Sequence, residues 1–495
     1  MGVVDTTNGP VLGTTVREPD RHAVEVFRGI PFARPPVGPL RFAAPEPPEG
    51  WREPRDATRF GPSAPQPANN LLNGVVPGMT VGETSEDCLT LNVWTPATSA
   101  ANRTGARPVM VWLHGGSFLL GGSSLPTYDG ARLAADGDVV VVSCNYRLGA
   151  LGFCALDVAN CGLLDQIAAL EWVRDNIASF GGDPGRVTIF GESAGGGCVL
   201  HLLAAPGARG LFHRAIAQSG ATDFTLTAAR AAEVAQRFAA CAGVAADDLD
   251  ALRAVPVERI LAAQDEAAVA LLPTVGLMPF HPVADGTVVG AAPETAIAAG
   301  AADGVDLVIG ITADEMRLFL DPATFPPDRA TLVRQVARLR EDLDATALVD
   351  VYAGTARPNR ASLGDLWADV TTDLQMSLPA RRVADAHARR GNTTYGYVFT
   401  WPAAAGDGAL RACHGVDLPF TFGTFDREGW DAFVGSGTES EALSTRMRSA
   451  WCAFARDGDP GWPRYEPPRR TTMLLGRECR TVDDPGGERL AAWGT

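Results

Sequence analysis

Five short, largely apolar segments, each followed by residues typical of turns, constrain the fold of this chain more than any other feature of its sequence. They occupy residues 109–113, 139–143, 187–190, 215–219 and 306–311. A strand with one solvated face alternates apolar with polar residues, whereas these segments are apolar at nearly every position. They are therefore typical of parallel strands inside a sheet that helices cover on both faces.

Helical patterns separate these segments, and longer helical stretches at 227–268 and 328–390 lie between strands as insertions. Residues 163–177 place their apolar side chains on one helical face: Leu163, Ile167, Leu170, Trp172, Val173 and Ile177. The alternation predicts an α/β fold with a large, mostly parallel central sheet flanked by helices. A length of 495 residues would allow about three domains, but no linker or repeat is visible. We expect a single domain over residues 1–495 with helical insertions.

The net charge and the short length of the apolar runs exclude several classes of partner. The formal net charge is −16, and all 42 basic residues are arginine, a composition typical of GC-rich bacterial coding. This charge repels nucleic acid and anionic lipid surfaces. No apolar run approaches the roughly 18 residues of a membrane span, and the first residues do not resemble a secretory signal. We expect a cytoplasmic protein; no pattern predicts an oligomeric state.

The nine cysteines are odd in number and form neither a C-x-x-C pair nor a zinc-type spacing with histidine. They predict mostly buried free thiols in a reducing compartment. No metal site is expected.

The sequence V-T-I-F-G-E-S-A-G-G-G at 187–197 is the sharpest local motif. It predicts a strand, a G-x-S-x-G turn and the start of a helix, and this order is typical of a nucleophile elbow. Gly191 and Gly195 allow a tight turn that lifts the hydroxyl of Ser193 out of the sheet. Ser193 is therefore the candidate nucleophile, at a helix N-terminus that favours developing negative charge.

A serine nucleophile needs a base and an orienting acid, which follow it in the order Ser, acid, His in folds with this elbow. Among the histidines after Ser193, His387 lies in an arginine-rich helical stretch and is expected to be solvated, and His281 lies in a structural loop. His414, followed by Gly415 in a loop, is the candidate base. The acid should follow a strand, where D-L-V-I-G-I-T-A-D-E offers Asp314 and Glu315. The residues alone leave these two alternatives open.

The run V-M-V-W-L-H-G-G-S-F at 109–118 places two glycines and a serine just after a strand. This matches the turn whose backbone N–H groups stabilise the oxyanion in acyl transfer. The candidate donors are the N–H groups of Gly116, Ser117 and Ala194.

With these motifs, the sequence resembles the type-B carboxylesterase family, which includes cholinesterases and some lipases. Two segments, S-E-D-C-L-T-L-N-V-W at 85–94 and F-G-G-D-P-G-R-V-T-I-F-G-E-S-A-G at 180–195, resemble the family signatures. Further similarity covers 27–42, 145–153, 414–420 and 451–460, and so extends over essentially the whole chain. The resemblance implies the α/β-hydrolase fold and a bacterial serine carboxylesterase that uses no metal or organic cofactor and acts on small-molecule esters.

Residue by residue, the resemblance implies Ser193 as nucleophile, His414 as base and Glu315 as the acid. Three polar residues correspond to buried groups around the triad: Glu192, Ser219 and Asp417. The resemblance also implies two structural ion pairs, Arg41 with Glu86 and Arg147 with Asp165. Four aromatic residues are candidates for the substrate pocket, with core packing an equal alternative for each: Phe118, Phe280, Phe319 and Phe420.

Departures from the family's sequence pattern affect the expected disulfides and the expected substrates. Ala64 and Ala251 stand where secreted relatives have cysteines for two disulfides. The loop at 61–82 lacks the tryptophan with which cholinesterases bind quaternary ammonium, so choline esters are disfavoured. Two alternatives remain: a non-catalytic, cholinesterase-like interaction module, and a lipase. A lipase would need an apolar lid, for which this loop offers Leu71, Leu72, Val75 and Val76.

Overall fold

The structure, a computed structural model, describes residues 2–17, 21–67, 76–97, 106–220, 223–276, 278–357, 360–427 and 429–494. The strands in this part of the chain are β1 (Val3–Thr6), β2 (Gly9–Leu12), β3 (Thr14–Val16), β4 (Val24–Pro31), β5 (Arg55–Asp56), β6 (Thr90–Pro96), β7 (Arg107–Leu113), β8 (Val140–Cys144), β9 (Gly182–Glu192), β10 (Arg214–Gln218), β11 (Leu226–Thr227), β12 (Val283–Ala284), β13 (Asp306–Thr312), β14 (Thr394–Phe399), β15 (Thr471–Leu475) and β16 (Arg480–Asp483). The helices are α1 (Ala131–Gly137), α2 (Gly149–Phe153), α3 (Cys161–Asn176), α4 (Ala194–Ala204), α5 (Ala228–Ala242), α6 (Leu249–Ala254), α7 (Val257–Leu271), α8 (Pro293–Ala298), α9 (Arg329–Leu339), α10 (Ala345–Gly354), α11 (Leu363–Thr372), α12 (Leu378–Arg389), α13 (Leu418–Phe422), α14 (Trp430–Val434), α15 (Thr438–Asp457) and α16 (Gly487–Ala491). A π-helical segment, Asp373–Ser377, joins α11 to α12.

The central sheet is mixed but mostly parallel. In the described part of the chain, eleven strands pair in the order β16-β15-β14-β13-β10-β9-β7-β8-β6-β4-β3. The strands from β15 to β8 in this order run parallel to their neighbours. Antiparallel strands form the two edges: β16 on one side, and β6, β4 and β3 on the other. The predicted fold class is confirmed.

All five segments predicted as strands belong to this sheet, as β7, β8, β9, β10 and β13. Every residue of β7 and β8 is buried, as expected for strands covered on both faces. The predicted inserted helices also form: α5, α6 and α7 in the first stretch, and α9 to α12 in the second.

Successive side chains of a strand pack into different cores, because they point to opposite faces of the sheet. Val109 and Val111 of β7 belong to a core on one face together with helices α3, α4, α5 and α7. Met110 and Trp112 belong to a core on the other face, which α1, α13, α14 and α15 cover. A smaller cluster packs α9, α10, α11 and α16 around Tyr352 and Trp493. The single domain expected for residues 1–495 stays a prediction.

The register of the sheet brings the ends of four strands to one edge. Leu113 of β7 pairs with Gly191 of β9, which pairs with Ala217 of β10, and Ala217 pairs with Ile309 of β13. The chain therefore leaves these parallel strands at the same edge, where α/β sheets place their ligands and catalytic groups.

The prediction that His387 is solvated is wrong. Its side chain is fully buried, with one ring nitrogen 2.8 Å from the Thr394 hydroxyl and the other 3.1 Å from the Val305 carbonyl. Although arginines flank it in the sequence, His387 lies on the buried face of α12 together with Val383 and Ala384. Burial lowers the pKa of His387 to about 4, so the ring is neutral and structural.

Both ion pairs implied by the family resemblance form. Arg41 and Glu86 approach to 2.5 Å, and Arg147 and Asp165 to 2.6 Å. Asp165 on α3 is fully buried and also accepts a hydrogen bond from the backbone N–H of Arg147 at 3.0 Å. Removal of one charge from such a buried pair leaves the other charge without compensation.

We expect Asp165→Asn to lower the free energy of unfolding by about 3–5 kcal/mol, because it leaves the buried Arg147 guanidinium unpaired. Urea denaturation followed by circular dichroism measures this change. Asp175→Asn on the same helix is the matched control, since the Arg174–Asp175 pair is about half exposed on each side and contributes little. Equal effects of the two substitutions would contradict the expectation.

Candidate active site

Ser193 occupies a sharp turn between β9 and α4. Its backbone has φ 59° and ψ −124°, a conformation that residues other than glycine rarely adopt. A hydrogen bond from the Ser193 N–H to the Gln218 carbonyl, at 2.9 Å, connects the turn to the end of β10. A Cβ atom on Gly195 would lie 2.0 Å from the Leu113 carbonyl oxygen, so no other residue fits there. The motif therefore folds as the strained elbow that the sequence predicts.

His414 and Glu315 form a buried hydrogen-bonded pair at the same edge of the sheet. The Nδ1 atom of His414 lies 2.6 Å from Oε2 of Glu315. The other carboxylate oxygen accepts hydrogen bonds from the Ser219 hydroxyl at 2.7 Å and from the Thr312 N–H at 2.8 Å. A fully satisfied carboxylate of this kind fixes the ring and keeps the proton on Nδ1.

Asp314, which the sequence leaves as an alternative acid, points elsewhere. Its carboxylate pairs with Arg360 and accepts a hydrogen bond from the Ala412 N–H at 3.3 Å. Of the two adjacent acids, Glu315 is the one that contacts His414.

The free nitrogen of His414 faces the elbow. Its Nε2 lies 3.3 Å from Oε1 of Glu192, the residue that precedes Ser193. Among the residues that the structure describes, the Ser193 hydroxyl forms no hydrogen bond to His414. Bonds between a nucleophile and its base are often long without substrate and shorten in the reacting complex.

The turn after β7 lies directly against the elbow. A Cβ atom on Gly115 would come within 3.1 Å of the Ser193 Cβ atom. In the described part of the chain, the N–H groups of Gly116, Ser117 and Ala194 donate to no protein acceptor. Three backbone donors are thus available beside the serine hydroxyl.

Buried polar contacts hold this turn. The Tyr146 hydroxyl donates to the His114 carbonyl at 2.6 Å, and the two rings stack at 4.4 Å. Gln66 bridges to Gly121 through two hydrogen bonds of 2.8 and 2.9 Å. Burial lowers the pKa of His114 to about 4, so the ring is neutral at physiological pH.

Acidic groups surround the imidazole of His414, whose side chain is 7% exposed. Burial raises the pKa of Glu192 well above its usual range and the pKa of Asp417 to about 6. Burial alone would lower the pKa of His414, but the neighbouring Glu192 and Glu315 carboxylates outweigh burial and raise it. Ionised Glu192 and Glu315 therefore stabilise the imidazolium form of His414, and the imidazolium in turn favours the ionised form of Glu192.

Sequence reasoning missed Gln218 as part of this region. Its side-chain amide donates to Asp417 at 2.8 Å, and its amide oxygen accepts from the Trp451 indole N–H at 3.0 Å. A buried glutamine that directly follows the apolar residues 215–217 of β10 was the signal that could have identified it. Gln218 supports the elbow through its backbone and Asp417 through its side chain.

The four aromatic pocket candidates separate into two groups. Phe319 is 45% exposed, and its ring lies 5.2 Å from the His414 ring. The other three are buried: Phe118 packs on Phe153, Phe280 on Phe238, and Phe420 on Phe399 and Phe425. Phe280 and Phe420 have no exposed surface, so core packing describes them here.

The candidate lid is only partly described. Leu71, Leu72 and Val75 lie outside the described residues, and Val76 is buried against the core that contains Trp112. No helix in the described ranges combines the length and the apolarity that crossing a bilayer requires.

We expect Glu192→Gln to lower the pKa of His414, on the order of one unit, because it removes a negative charge next to Nε2. The NMR titration of the His414 ring, assigned by comparison with His414→Gln, measures this change. Glu171→Gln, on the exposed face of α3, is the control and should leave the titration unchanged. An unshifted His414 in Glu192→Gln would show that Glu192 carries no charge at this site.

Comparisons with known proteins agree with this geometry. The sequence profile of the carboxylesterase family matches residues 1–493. The para-nitrobenzyl esterase of Bacillus subtilis is 39% identical over 98% of this chain and 97% of its own length. The phenmedipham hydrolase of Pseudarthrobacter oxydans is 38% identical over 92% of both chains. A crystal structure of a carboxylesterase from Geobacillus stearothermophilus superimposes with a TM-score of 0.86, at 38% identity and 99% coverage of both chains. The chain belongs to the carboxylesterase family, whose members are carboxylic ester hydrolases with the α/β-hydrolase fold.

Proposed function

We propose that Ser193, His414 and Glu315 form the catalytic triad with which this carboxylic ester hydrolase cleaves its substrates. The observation that carries the proposal is the 2.6 Å contact between His414 and Glu315, on loops that meet at the sheet edge where the strained Ser193 turn begins. Ser193 Oγ attacks the ester carbonyl carbon while Nε2 of His414 accepts the hydroxyl proton. Glu315 holds the ring and stabilises the imidazolium that results.

The reaction proceeds in two halves. The tetrahedral intermediate collapses when its C–O bond to the alcohol breaks, and His414 returns the proton to the leaving alcohol oxygen. Water, activated by His414, then attacks the acyl-serine and releases the carboxylic acid. The proposed chemistry uses water and the side-chain and backbone groups of this chain, with no metal or organic cofactor.

We assign the oxyanion to the N–H groups of Gly116, Ser117 and Ala194. Each such donor contributes roughly 10²- to 10³-fold in rate when it is aimed at the developing charge. This assignment is supported by the observation that the three N–H groups donate to no acceptor in the described part of the chain. Because backbone groups donate, a serine at position 117 serves as well as a glycine.

The polar groups around the triad act by positioning. Ser219 fixes Glu315 through its hydroxyl, and Glu192 places negative charge beside the imidazolium. Asp417, held by Gln218, adds to this charge from further away. We assign these residues an effect on the proton affinity of His414 and no contact with the reacting atoms.

For the substrate, we propose small, uncharged esters with an aromatic or short alkyl group. Phe319 offers an exposed ring beside His414 for such a group. The relatives named for para-nitrobenzyl and phenmedipham substrates agree with this chemistry. We also propose a cytoplasmic location, since all nine cysteines are free thiols and seven of them are buried.

We expect Ser193→Ala to reduce kcat on the order of 10⁶-fold, because the nucleophile is lost while the fold remains. Hydrolysis of p-nitrophenyl acetate measures the loss, and covalent labelling with a fluorophosphonate followed by peptide mapping locates the reactive serine. Ser436→Ala, at an exposed serine, is the control. Most of the activity remaining in Ser193→Ala, or a label on another peptide, would contradict the proposed nucleophile.

A series of p-nitrophenyl esters of increasing acyl length distinguishes an esterase from a lipase. We expect kcat/KM to be highest for short chains and to show no jump when the substrate exceeds its solubility. A lipase with an apolar lid gives the opposite result, a preference for long chains and a rise in rate at the interface. That outcome would contradict the esterase proposal and support the lipase alternative.

A further inference from the structure

A pocket of about 280 Å³ lies away from the triad, between the sheet and the second helical insertion. Its floor is one face of β13, β14 and β15, with the side chains of Ile311, Val398 and Leu474. Its other walls are α12, through Ala380 and Ala384, and the C-terminal segment before α16. The catalytic mechanism uses none of these residues.

The charged groups that line this pocket are mainly cationic. Four arginines and two aspartates contribute to the lining, in a protein whose net charge is −16: Arg357, Arg381, Arg470, Arg489, Asp373 and Asp484. Asp385 and Asp369, which lie outside the lining, pair with Arg470 and Arg489. A small excess of positive charge remains at the wall of this apolar pocket, and it favours a ligand that carries negative charge.

The two aspartates are already compensated. Asp373 lies 3.2 Å from Arg489 and accepts hydrogen bonds from the Tyr352 and Ser377 hydroxyls. Asp484 lies 3.2 Å from Arg381. Arg470 pairs with Asp385 at 2.9 Å. Of the four arginines, only Arg357 is then left without an ion pair in the described part of the chain, and neither aspartate of the lining is available to it.

Arg357 is that remaining cation. Among the residues that the structure describes, no carboxylate lies within 4.0 Å of its guanidinium. Its one hydrogen bond is long, from Nη2 to the Ala313 carbonyl at 3.4 Å. Burial lowers the pKa of Arg357, although the more distant carboxylates of Asp314 and Asp369 oppose this shift. Arg357 is partly buried, and a guanidinium with so few direct partners at the wall of a pocket favours binding of an anion.

We propose that this pocket is a binding site for a small carboxylate with an apolar body, whose carboxylate group pairs with Arg357. If each non-hydrogen atom takes about the 30 Å³ of a water molecule, the pocket holds about nine such atoms. This is the size of hexanoate or benzoate. The site does not depend on the proposed ester hydrolysis.

The location links the pocket to the triad through one short stretch of backbone. Arg357 contacts the carbonyl of Ala313, and Glu315 follows two residues later. A carboxylate bound to Arg357 therefore lies close to the start of the loop that carries Glu315.

Isothermal titration calorimetry with hexanoate tests the proposal on the full-length protein, with 1-hexanol as the uncharged comparison. We expect hexanoate to bind, and 1-hexanol to bind at least about tenfold more weakly. Arg357→Met should weaken hexanoate binding at least about tenfold because it removes the charged partner. Ala380→Leu should prevent binding because it fills the pocket while leaving Arg357 in place. Arg338→Met, at an exposed arginine on α9, is the matched control and should bind as the unchanged protein does.

Two results would overturn the proposal: no binding of hexanoate to the unchanged protein, or binding that persists at equal strength in both Arg357→Met and Ala380→Leu. In the second case the carboxylate occupies another place, such as the space beside Ser193. The activity of Ser193→Ala is measured separately, so a failure of either proposal leaves the other intact.

Discussion

The buried carboxylate of Glu315 is the group on which the arrangement of the site depends. In a region of low dielectric, a carboxylate is stable only when donors surround it. Three donors from three parts of the chain meet it: the Ser219 hydroxyl after β10, the Thr312 N–H at the end of β13, and His414 after β14. The same bonds that satisfy its charge fix the orientation of the imidazole. Stability and catalytic geometry therefore have a common origin here.

The sheet and the sharp turn at Ser193 could be predicted because their causes are local. Runs of apolar residues mark strands buried on both faces, and the glycines around Ser193 mark a turn in which a Cβ atom has no room. The choice between Asp314 and Glu315 was different, since it depends on Arg360 and on the loop that carries His414. Such contacts across long separations have no signal in a single sequence.

The error about His387 has a physical cause. His387 lies among arginines, but helical periodicity places it on the buried face of α12 with Val383 and Ala384, and Thr394 and Val305 satisfy both of its nitrogens. For Phe280 and Phe420, the sequence left core packing and a pocket wall as equal alternatives, and in the structure both are fully buried against neighbouring rings. Only Phe319 remains beside His414 with an exposed face. The position of an aromatic residue in the sequence does not show whether it packs in the core or lines an accessible pocket.

Glu315 and His414 are 99 residues apart in the chain, and the second helical insertion lies between them. The strands that precede and follow this insertion, β13 and β14, are neighbours in the sheet. Closing so long a loop costs entropy before any contact repays it, and topologies rich in such distant contacts fold slowly. The acid and the base thus meet only in a chain in which β13 and β14 have paired across this insertion. The activity proposed for this chain therefore requires that long-range pairing, so a measurement of hydrolysis also measures how much of the polypeptide has formed it.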